Sequence, residues 1–216
     1  AAEKGADLTL SGSTSGVELG QTVTVTFGGK TYTATVAGDG SWTTSVPAAD
    51  LAALRDGDAT VQASVSNING NSASAVHNYS IDSSAPTIII NTVASDNIVN
   101  ASEADAGVTV SGSTTAEAGQ IVTVTLNSPT VQTYQATVQA DGSWSINIPA
   151  ADLEALTDGS HTLTATVNDK AGNPASTTHN LAVDLTVPVL TINTIAGDDI
   201  INAAEHGQAL VISGSS

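Results

Sequence analysis

The sequence contains no cysteine and no methionine among its 216 residues. The absence of cysteine excludes disulfides, thiolate nucleophiles, zinc–thiolate sites and iron–sulfur clusters. Aromatic residues make up only 3% of the chain, which argues against stacking platforms for nucleobases or sugars and predicts aliphatic cores. No apolar run is long enough to span a membrane, and the first residues do not show the charged and apolar regions of a signal peptide.

Positive charge is also scarce, with four Lys and Arg residues against 21 Asp and Glu residues and a formal net charge of −17. A chain this acidic repels polyanions, so we expect cations and not nucleic acid as partners. Hydrophobic residues make up 40% of the composition. That fraction predicts packed cores rather than a disordered acidic chain.

Internal repetition is the strongest pattern in the chain. Residues 39–82 match residues 141–184 at 23 of 44 positions without a gap, and Ala101–Gly112 matches Ala203–Gly214 and Ala1–Gly12. Repetition at a fixed period indicates an array of similar units, so we expect a piece of a longer protein. The predicted domains are 1–85, a repeat lacking its first strand; 86–187, a complete repeat; and 188–216, the opening fragment of a third.

Alternation of Thr or Ser with aliphatic residues dominates each repeat and predicts strands with one buried face. Pro149–Leu156 carries the only helical signal, and Gly-Gly at 28–29 and Asp-Gly at 39–40 and 141–142 are typical of hairpin turns. Seven short strands in about 100 residues predict an all-β protein of tandem Ig-like β-sandwiches. The strands predicted in the complete repeat are Thr87–Thr92, Val108–Ser113, Ile121–Asn127, Thr133–Gln139, Trp144–Ile148, His161–Asn168 and Thr177–Asp184.

The predicted linkers between repeats are short, at about four residues before Pro86 and before Pro188. Short linkers favour a semi-rigid rod over domains joined by flexible segments.

Acidic side chains are predicted to gather where consecutive repeats meet. Successive loops of an Ig-like sandwich alternate between its two ends, so carboxylates at the end of one repeat face those at the start of the next. Carboxylates in one place repel each other unless a cation lies between them, and oxygen ligands without cysteine favour calcium. At the first junction this arrangement brings together Glu3, Asp82 and Asp169, with Asn173 and Asp141 nearby.

A second acidic pattern recurs as Asp-Asn-x-x-Asn-x-x-Glu at 96–103 and Asp-Asp-x-x-Asn-x-x-Glu at 198–205. The pattern does not match an EF-hand loop, and structural turns and caps are the alternative to metal binding. Plain turns are favoured for Asp56-Gly57 and Asp158-Gly159. The predicted metal ligands are Glu3, Asp82, Asp96, Asn97, Glu103, Asp169, Asp184, Asp198, Asp199 and Glu205.

Other candidate sites are weaker. We expect no enzyme, because no Gly-x-Ser-x-Gly elbow and no convincing Ser, His and Asp arrangement occurs. His77 and His179 are predicted to face solvent in equivalent strands rather than to bind zinc. Trp42 and Trp144 follow Asp-Gly turns, where a core or edge anchor is expected and a glycan platform is the alternative. Val189–Ile195 could pair with the first repeat of another molecule.

The chain resembles the tandem Ig-like repeats of giant bacterial surface adhesins, the biofilm-associated type secreted by type I systems. The resemblance covers essentially the whole chain. The residues that carry it are Leu190–Glu205, the Asp-Gly-Ser-Trp turns at 39–42 and 141–144, and the junction from Val183-Asp184 to Pro188.

The resemblance implies an extracellular, calcium-stiffened rod on the bacterial cell surface that supports adhesion and biofilm formation. Its implied partners are Ca²⁺, neighbouring repeats and host or bacterial surface ligands, and a direct glycan- or receptor-binding module is the alternative function. The chain departs from the pattern where Asn67 replaces Asp169 and Asn97 replaces Asp199, and where the first repeat lacks its Asp-Asp segment. These departures weaken the transfer of individual ligands.

Overall fold

The computed structural model describes residues 5–127 and 131–216, and β-strands dominate it. The first repeat contains β1 (Leu8–Ser13), β2 (Thr22–Phe27), β3 (Lys30–Thr35), β4 (Ser41–Val46), α1 (Ala48–Ala52), β5 (Gly57–Ser66) and β6 (Ser72–Ile81). β1 and β4 pair antiparallel in one sheet, and the other sheet has the order β3-β2-β5-β6. Thr and Val alternate along β2, and its valines are buried, as the period of two predicts.

The second repeat contains β7 (Ile88–Ile90), β8 (Ile98–Asn100), α2 (Ala101–Ala106), β9 (Val108–Thr114), β10 (Ile121–Asn127), β11 (Gln132–Thr137), β12 (Ser143–Ile148), α3 (Ala150–Glu154), β13 (Gly159–Asn168) and β14 (Pro174–Asp184). Its two sheets have the orders β12-β9-β7 and β11-β10-β13-β14-β8. The core between them is aliphatic apart from Trp144. The predicted all-β Ig-like sandwich is therefore confirmed.

The third segment contains only β15 (Thr191–Ile192) and β16 (Gly214–Ser215), which pair antiparallel. This pair repeats, over two positions, the pairing of β7 with β9. Large apolar side chains are left exposed in this segment, among them Val189, Leu190, Ile192, Ile200 and Ile201.

Two elements of the second repeat, β8 and α2, were not predicted. β8 pairs in parallel with β14, so that Asn100 lies opposite Asp184. α2 begins with a capping box, in which Asn100 accepts from the Glu103 N–H and the Glu103 carboxylate accepts from the Asn100 N–H. The prediction of a single helical segment is thus wrong, although the Asn-x-x-Glu spacing is a recognisable helix start.

The predicted turns form, but they do not all make hairpins. Gly28 and Gly29 have φ angles of 58° and 78° and join the paired strands β2 and β3, as expected for a two-residue hairpin. The Asp-Gly turns at 39–40 and 141–142 instead join strands of opposite sheets. The hairpin prediction is wrong there, because each turn carries the chain from one layer to the other.

Strand β7 closes the second repeat at the edge of its three-stranded sheet. It pairs antiparallel with β9 and packs against β13 and β14 of the other sheet. A Cβ atom built on Gly112 would lie 2.0 Å from the carbonyl oxygen of Ile89, so only glycine admits β7 at this distance. Trp144 packs against the same glycine and is 2% exposed.

The first repeat has the same glycine and tryptophan, and no strand of residues 5–127 or 131–216 lies over them. Trp42 lies against Gly12 and is half-buried. β1 pairs with β4 on one side, and among the described residues no strand pairs with its other edge. The core of this repeat is correspondingly split into two smaller clusters.

Replacing Gly112 by Ala should destabilise the second repeat by about 2 kcal/mol, because the new methyl group displaces β7 from β9. The change is measured as a shift in the urea unfolding midpoint. Gly38→Ala is the matched control, since a Cβ atom there meets no atom within 4 Å. Equal midpoints for the two variants would contradict the close approach of β7.

Candidate functional site

The linker that follows the first repeat is held by one carboxylate, that of Asp56. Its Oδ1 accepts from the backbone N–H of Ser83 at 2.9 Å and from the Ser83 hydroxyl at 2.6 Å. Its Oδ2 accepts from the Ser84 hydroxyl at 2.6 Å. Asp82 adds a turn of its own by accepting from the Ser84 N–H at 3.1 Å.

The linker after the second repeat is held in the same way by Asp158. Its Oδ1 accepts from the Leu185 N–H at 2.7 Å, and its Oδ2 accepts from the Thr186 hydroxyl at 2.5 Å. The bonds from Thr186 and then Leu185 lower the pKa of Asp158. Asp184 accepts from the Thr186 N–H at 3.2 Å, as Asp82 does from Ser84.

Asp56 and Asp158 were expected to make plain turns, and their role in the linkers was missed. The signal was present in the sequence. In both repeats an Asp-Gly pair precedes the Asp at the end of the last strand by 26 residues, from 56 to 82 and from 158 to 184. Hydroxyl residues then follow that Asp by one or two positions.

The first junction brings Asp82 of the first repeat to Asp169 and Asn173 of the second. The Nδ2 atom of Asn173 lies 2.9 Å from Asp169 Oδ2, 3.2 Å from the Asp82 carbonyl oxygen and 3.4 Å from Asp82 Oδ1. Asn173 is 0% exposed and Asp169 is 8% exposed. Three oxygen atoms therefore converge on one buried amide group.

The charge of Asp169 is sustained by hydrogen bonds despite its burial. Burial raises the pKa of the carboxyl, but bonds from the side chain and backbone of Asn173, and from the N–H groups of Ala171 and Gly172, outweigh it and lower the pKa. In the first repeat Asn67 takes this place and accepts from the Asn69 and Asn71 N–H groups. The neutral amide of Asn67 thus accepts hydrogen bonds within its hairpin, as Asp169 does, but carries no charge.

Two further residues, Glu3 and Asp141, are predicted at this junction. Glu3 lies outside the described residues. Asp141 accepts from the N–H of Ser143 at 3.0 Å and from its hydroxyl at 2.6 Å, which closes its own turn. Across residues 5–127 and 131–216, no group of three or more His, Cys, Asp and Glu side chains is placed to hold a metal ion.

The segment from Asp96 to Glu103 is folded by its own polar side chains. Asp96 accepts from the Ile98 N–H at 2.9 Å, and Asn97 accepts from the Val93 N–H at 2.9 Å. Asn97 has a φ of 68°, a left-handed conformation that Asn and Asp tolerate better than most residues. Glu103 serves in the capping box of α2.

The third segment repeats these bonds closely. Asp198 accepts from the Ile200 N–H at 3.0 Å, and Asp199 accepts from the Ile195 N–H at 2.8 Å. Glu205 accepts from the Asn202 N–H at 3.0 Å. Local hydrogen bonding accounts for the recurrence of the spacing, and metal binding by these residues stays a prediction.

The comparisons with known proteins identify the family. The model of the bacterial Ig-like domain matches residues 91–185. The structure of a Ca²⁺-stabilized adhesin that helps an Antarctic bacterium reach out and bind ice is 34% identical, matching 100% of this chain and 53% of its own with a TM-score of 0.58. The structure of a 1.5-MDa bacterial ice-binding adhesin is also 34% identical, matching 100% of this chain and 70% of its own with a TM-score of 0.54. This chain belongs to the tandem Ig-like repeats of large bacterial adhesins.

The chain spans about half the length of the first adhesin structure. No curated protein matches it. Ig-like adhesin repeats are a non-enzymatic kind of protein. Within the described part of the chain, none of the helices is long and apolar enough to cross a bilayer.

The histidines and tryptophans of these adhesin repeats have structural surroundings. His179 was predicted to face solvent, but it is half-buried and its Nε2 lies 2.7 Å from Asn97 Oδ1. His77 is exposed, in line with the prediction. Burial of Trp144 fits the expected core anchor and removes its indole as a platform for glycan, whereas Trp42 is only half-buried.

Replacing Asp158 by Ala should release the second linker of the adhesin repeats. Hydrogen exchange of the Leu185 amide should accelerate, because this N–H loses its acceptor, while the Ser83 amide should exchange as before. Asp56→Ala is the matched reciprocal variant, with acceleration at Ser83 and none at Leu185. Amide exchange followed by NMR checks both, and unchanged rates at Leu185 in Asp158→Ala would contradict the role of this carboxylate.

The stability of the second repeat should fall in acid as Asp169 is protonated. The pKa of this carboxyl is lower in the folded chain than its unfolded value of about 3.9, so the folded state favours the ionised form. The stabilisation is present above the unfolded value and is lost as pH falls through the folded one. Unfolding midpoints should drop more for the wild type than for Asp169→Asn between about pH 5 and pH 2. If the midpoints of the two proteins fall in parallel with pH, Asp169 does not cause the loss of stability.

Proposed function

We propose that the chain is a spacer segment of a bacterial cell-surface adhesin, built from a repeat at 1–85, a complete repeat at 86–187 and the start of a third at 188–216. In this proposal it is secreted, lies outside the cell and supports adhesion and biofilm formation. Two observations support a spacer role: the linkers are fixed by side-chain hydrogen bonds, and both similar structures are of large bacterial adhesins.

We further propose that calcium stiffens the first junction. The observation that carries this proposal is the convergence of Asp82 and Asp169 oxygens on the buried amide of Asn173. One similar adhesin is described as Ca²⁺-stabilized. The oxygen atoms at this junction belong to two carboxylates and a backbone carbonyl, a set that suits a hard cation such as calcium.

The ligands follow from the positions of these groups. Asp82 would contribute its carboxylate and its carbonyl oxygen, and Asp169 its carboxylate. Rotation of the Asn173 amide by half a turn would replace Nδ2 with Oδ1 as a further ligand. Calcium would supply the positive charge that a neutral amide does not, and would tie the end of β6 to the hairpin between β13 and β14.

The remaining predicted ligands form a second part of the proposal. Asp184 would play at the next junction the part that Asp82 plays at the first, since each starts a linker with the same turn. The other predicted ligands lie in two acidic loops, at 96–103 and 198–205, and are Asp96, Asn97, Glu103, Asp198, Asp199 and Glu205. Calcium at these loops would have to bind alongside the hydrogen bonds that the side chains already make.

Calcium should raise the melting temperature of the wild type and reduce the range of shapes seen by small-angle scattering. With a dissociation constant of about 10⁻⁴ M and calcium in 100-fold excess over it, the gain is about 2.7 kcal/mol, which corresponds to roughly 10 to 20 °C for a domain of about 100 residues. Asp169→Asn should abolish the gain. Sodium chloride at matched ionic strength controls for screening of the net negative charge.

Asp39→Asn is the matched control variant, because Asp39 is an acidic turn residue of the first repeat whose carboxylate accepts from the backbone N–H and the hydroxyl of Ser41. It should keep the full response to calcium. A response that survives in Asp169→Asn, or that magnesium reproduces in full, would refute calcium binding at this junction. The spacer role would then rest on the linker bonds and on the similarity to large adhesins.

A further inference from the structure

The second repeat exposes an uncharged strand at the edge of its larger sheet. β11 pairs with β10 on one side, and in the described part of the chain no strand pairs with its other edge. Its six residues include no Asp, Glu, Lys or Arg, although the whole chain has a formal net charge of −17. Sheet edges are usually protected by charge, proline or a bulge, because their unpaired backbone groups can bind another strand. β11 has neither a charge nor a proline.

The odd-numbered residues of β11 direct their backbone groups away from β10. Val138, which follows the strand, bonds to the residues that lead into β10: its N–H donates to the Gln120 carbonyl, and its carbonyl accepts from the Gly119 N–H, both at 2.9 Å. Backbone groups alternate in direction along a strand of an antiparallel pair, so residues at an odd distance from Val138 point outwards. The residues of β11 with outward-facing N–H and carbonyl groups are Thr133, Gln135 and Thr137.

The corresponding edge of the first repeat is covered. The Thr44 hydroxyl of β4 donates to the carbonyl oxygen of Thr33 in β3 at 3.1 Å, which ties the two sheets together at this edge. The counterpart of Thr33 is Gln135, and the counterpart of Thr44 is Ile146, which has no hydroxyl to donate. β3 also begins with Lys30, a charge of the kind that discourages edge pairing. The second repeat therefore lacks both protections that the first repeat has.

We propose that the β11 strands of two molecules pair antiparallel around a two-fold axis through Gln135. Two copies of one edge fit each other when a residue with outward-facing groups lies on the axis, because its N–H and carbonyl then exchange hydrogen bonds with the same residue of the second copy. An axis at Gln135, near the middle of the strand, gives every residue of β11 a partner. Thr133 would lie opposite Thr137 of the second copy, and Tyr134 opposite Ala136 of that copy.

The edge is complementary to a copy of itself in charge and in hydrogen bonding. Thr133, Gln135 and Thr137 are exposed, so threonine would face threonine and glutamine would face glutamine on the outer face of the joined sheets. No like charges would lie opposite each other in the two strands. The Thr137 carbonyl already accepts from Gln139 Nε2 at 2.9 Å, and a carbonyl oxygen has a second lone pair for the incoming N–H.

The contact is small, and its direction matters for an adhesin. Six residues on each side are far fewer than the roughly 20 to 30 of a stable interface, so we expect a dissociation constant on the order of 1 mM. Antiparallel strands make the two chains run in opposite directions, which suits adhesins that extend towards each other from facing cells. Many weak contacts along two such rods would reinforce one another. This last step rests on the proposed spacer function, whereas the pairing of β11 does not.

Cysteine pairing tests the register and the direction, because the chain has no cysteine of its own. Full chains carrying Thr133→Cys or Thr137→Cys, one of them with a size tag, are oxidised separately and as a mixture. The mixture should give a disulfide-linked heterodimer, since facing residues of antiparallel strands lie within disulfide reach. Each variant alone should give little dimer, because the two copies of its cysteine lie about 13 Å apart along the strands. Predominant Thr133→Cys homodimers, or no excess of heterodimer, would overturn the proposal.

Charge exchange on the axis provides a second test, by sedimentation velocity of the full chain up to about 1 mM. The wild type should dimerise, and more so as sodium chloride screens its net negative charge. Gln135→Glu and Gln135→Lys should each lose the dimer, because the axis sets each new charge opposite itself. An equimolar mixture of the two should restore it, because glutamate then faces lysine.

The matched control variants for this test are Thr33→Glu and Thr33→Lys, at the counterpart position in β3, which should dimerise like the wild type. EDTA is present throughout, so that calcium at the first junction does not contribute. A monomeric wild type, or a mixture no more associated than either Gln135 variant alone, would overturn the proposal. The spacer function would be unaffected by that outcome, since it rests on the linker bonds and the similar adhesins.

Discussion

The core of an Ig-like repeat in this chain depends on a strand that pairs with the edge of one sheet and packs against the other. In the second repeat β7 occupies that position, and Trp144 and the aliphatic residues around it form one continuous core. The glycine on β9 makes this possible, because any side chain there would collide with the carbonyl of Ile89. Where no described strand fills the gap, as beside Gly12, the core divides and Trp42 meets solvent. The close approach of one strand to this glycine therefore controls how much apolar surface a repeat can bury.

Aspartate hydrogen bonds determine the geometry outside the cores. Asp56 and Asp158 hold the linkers, Asp96 and Asp198 close turns, and the buried Asp169 organises the hairpin between β13 and β14. Such bonds need an acceptor that reaches a nearby N–H, which short acidic side chains provide. Much of the acidic composition therefore has a structural use that does not require metal.

Most strands of the two repeats could be predicted because they alternate over five or more residues. β8 was missed because it has only three residues and pairs in parallel with β14, some 80 positions later in the chain, as between Val99 and Val183. The polar residues at 96–103 and 198–205 were predicted as metal ligands because an Asp that closes a turn and an Asp that binds calcium look alike in sequence. What distinguishes them is the partner in space, such as His179 beside Asn97, which spacing alone does not reveal.

The carboxylates on the surface and those at the first junction differ in how far dissolved salt can screen their charges. The only ion pair in the described part of the chain joins Lys30 to Asp50, so internal pairing offsets little of the net charge, and salt can screen the exposed carboxylates. At the first junction Asp169 is buried, beyond the reach of such screening, and Asp82 meets it across the neutral amide of Asn173. A bound cation would relieve repulsion there that dissolved salt does not. Because the Asp56 bonds already fix the linker, such a cation would find its ligands close to their final positions, at little cost in conformational entropy.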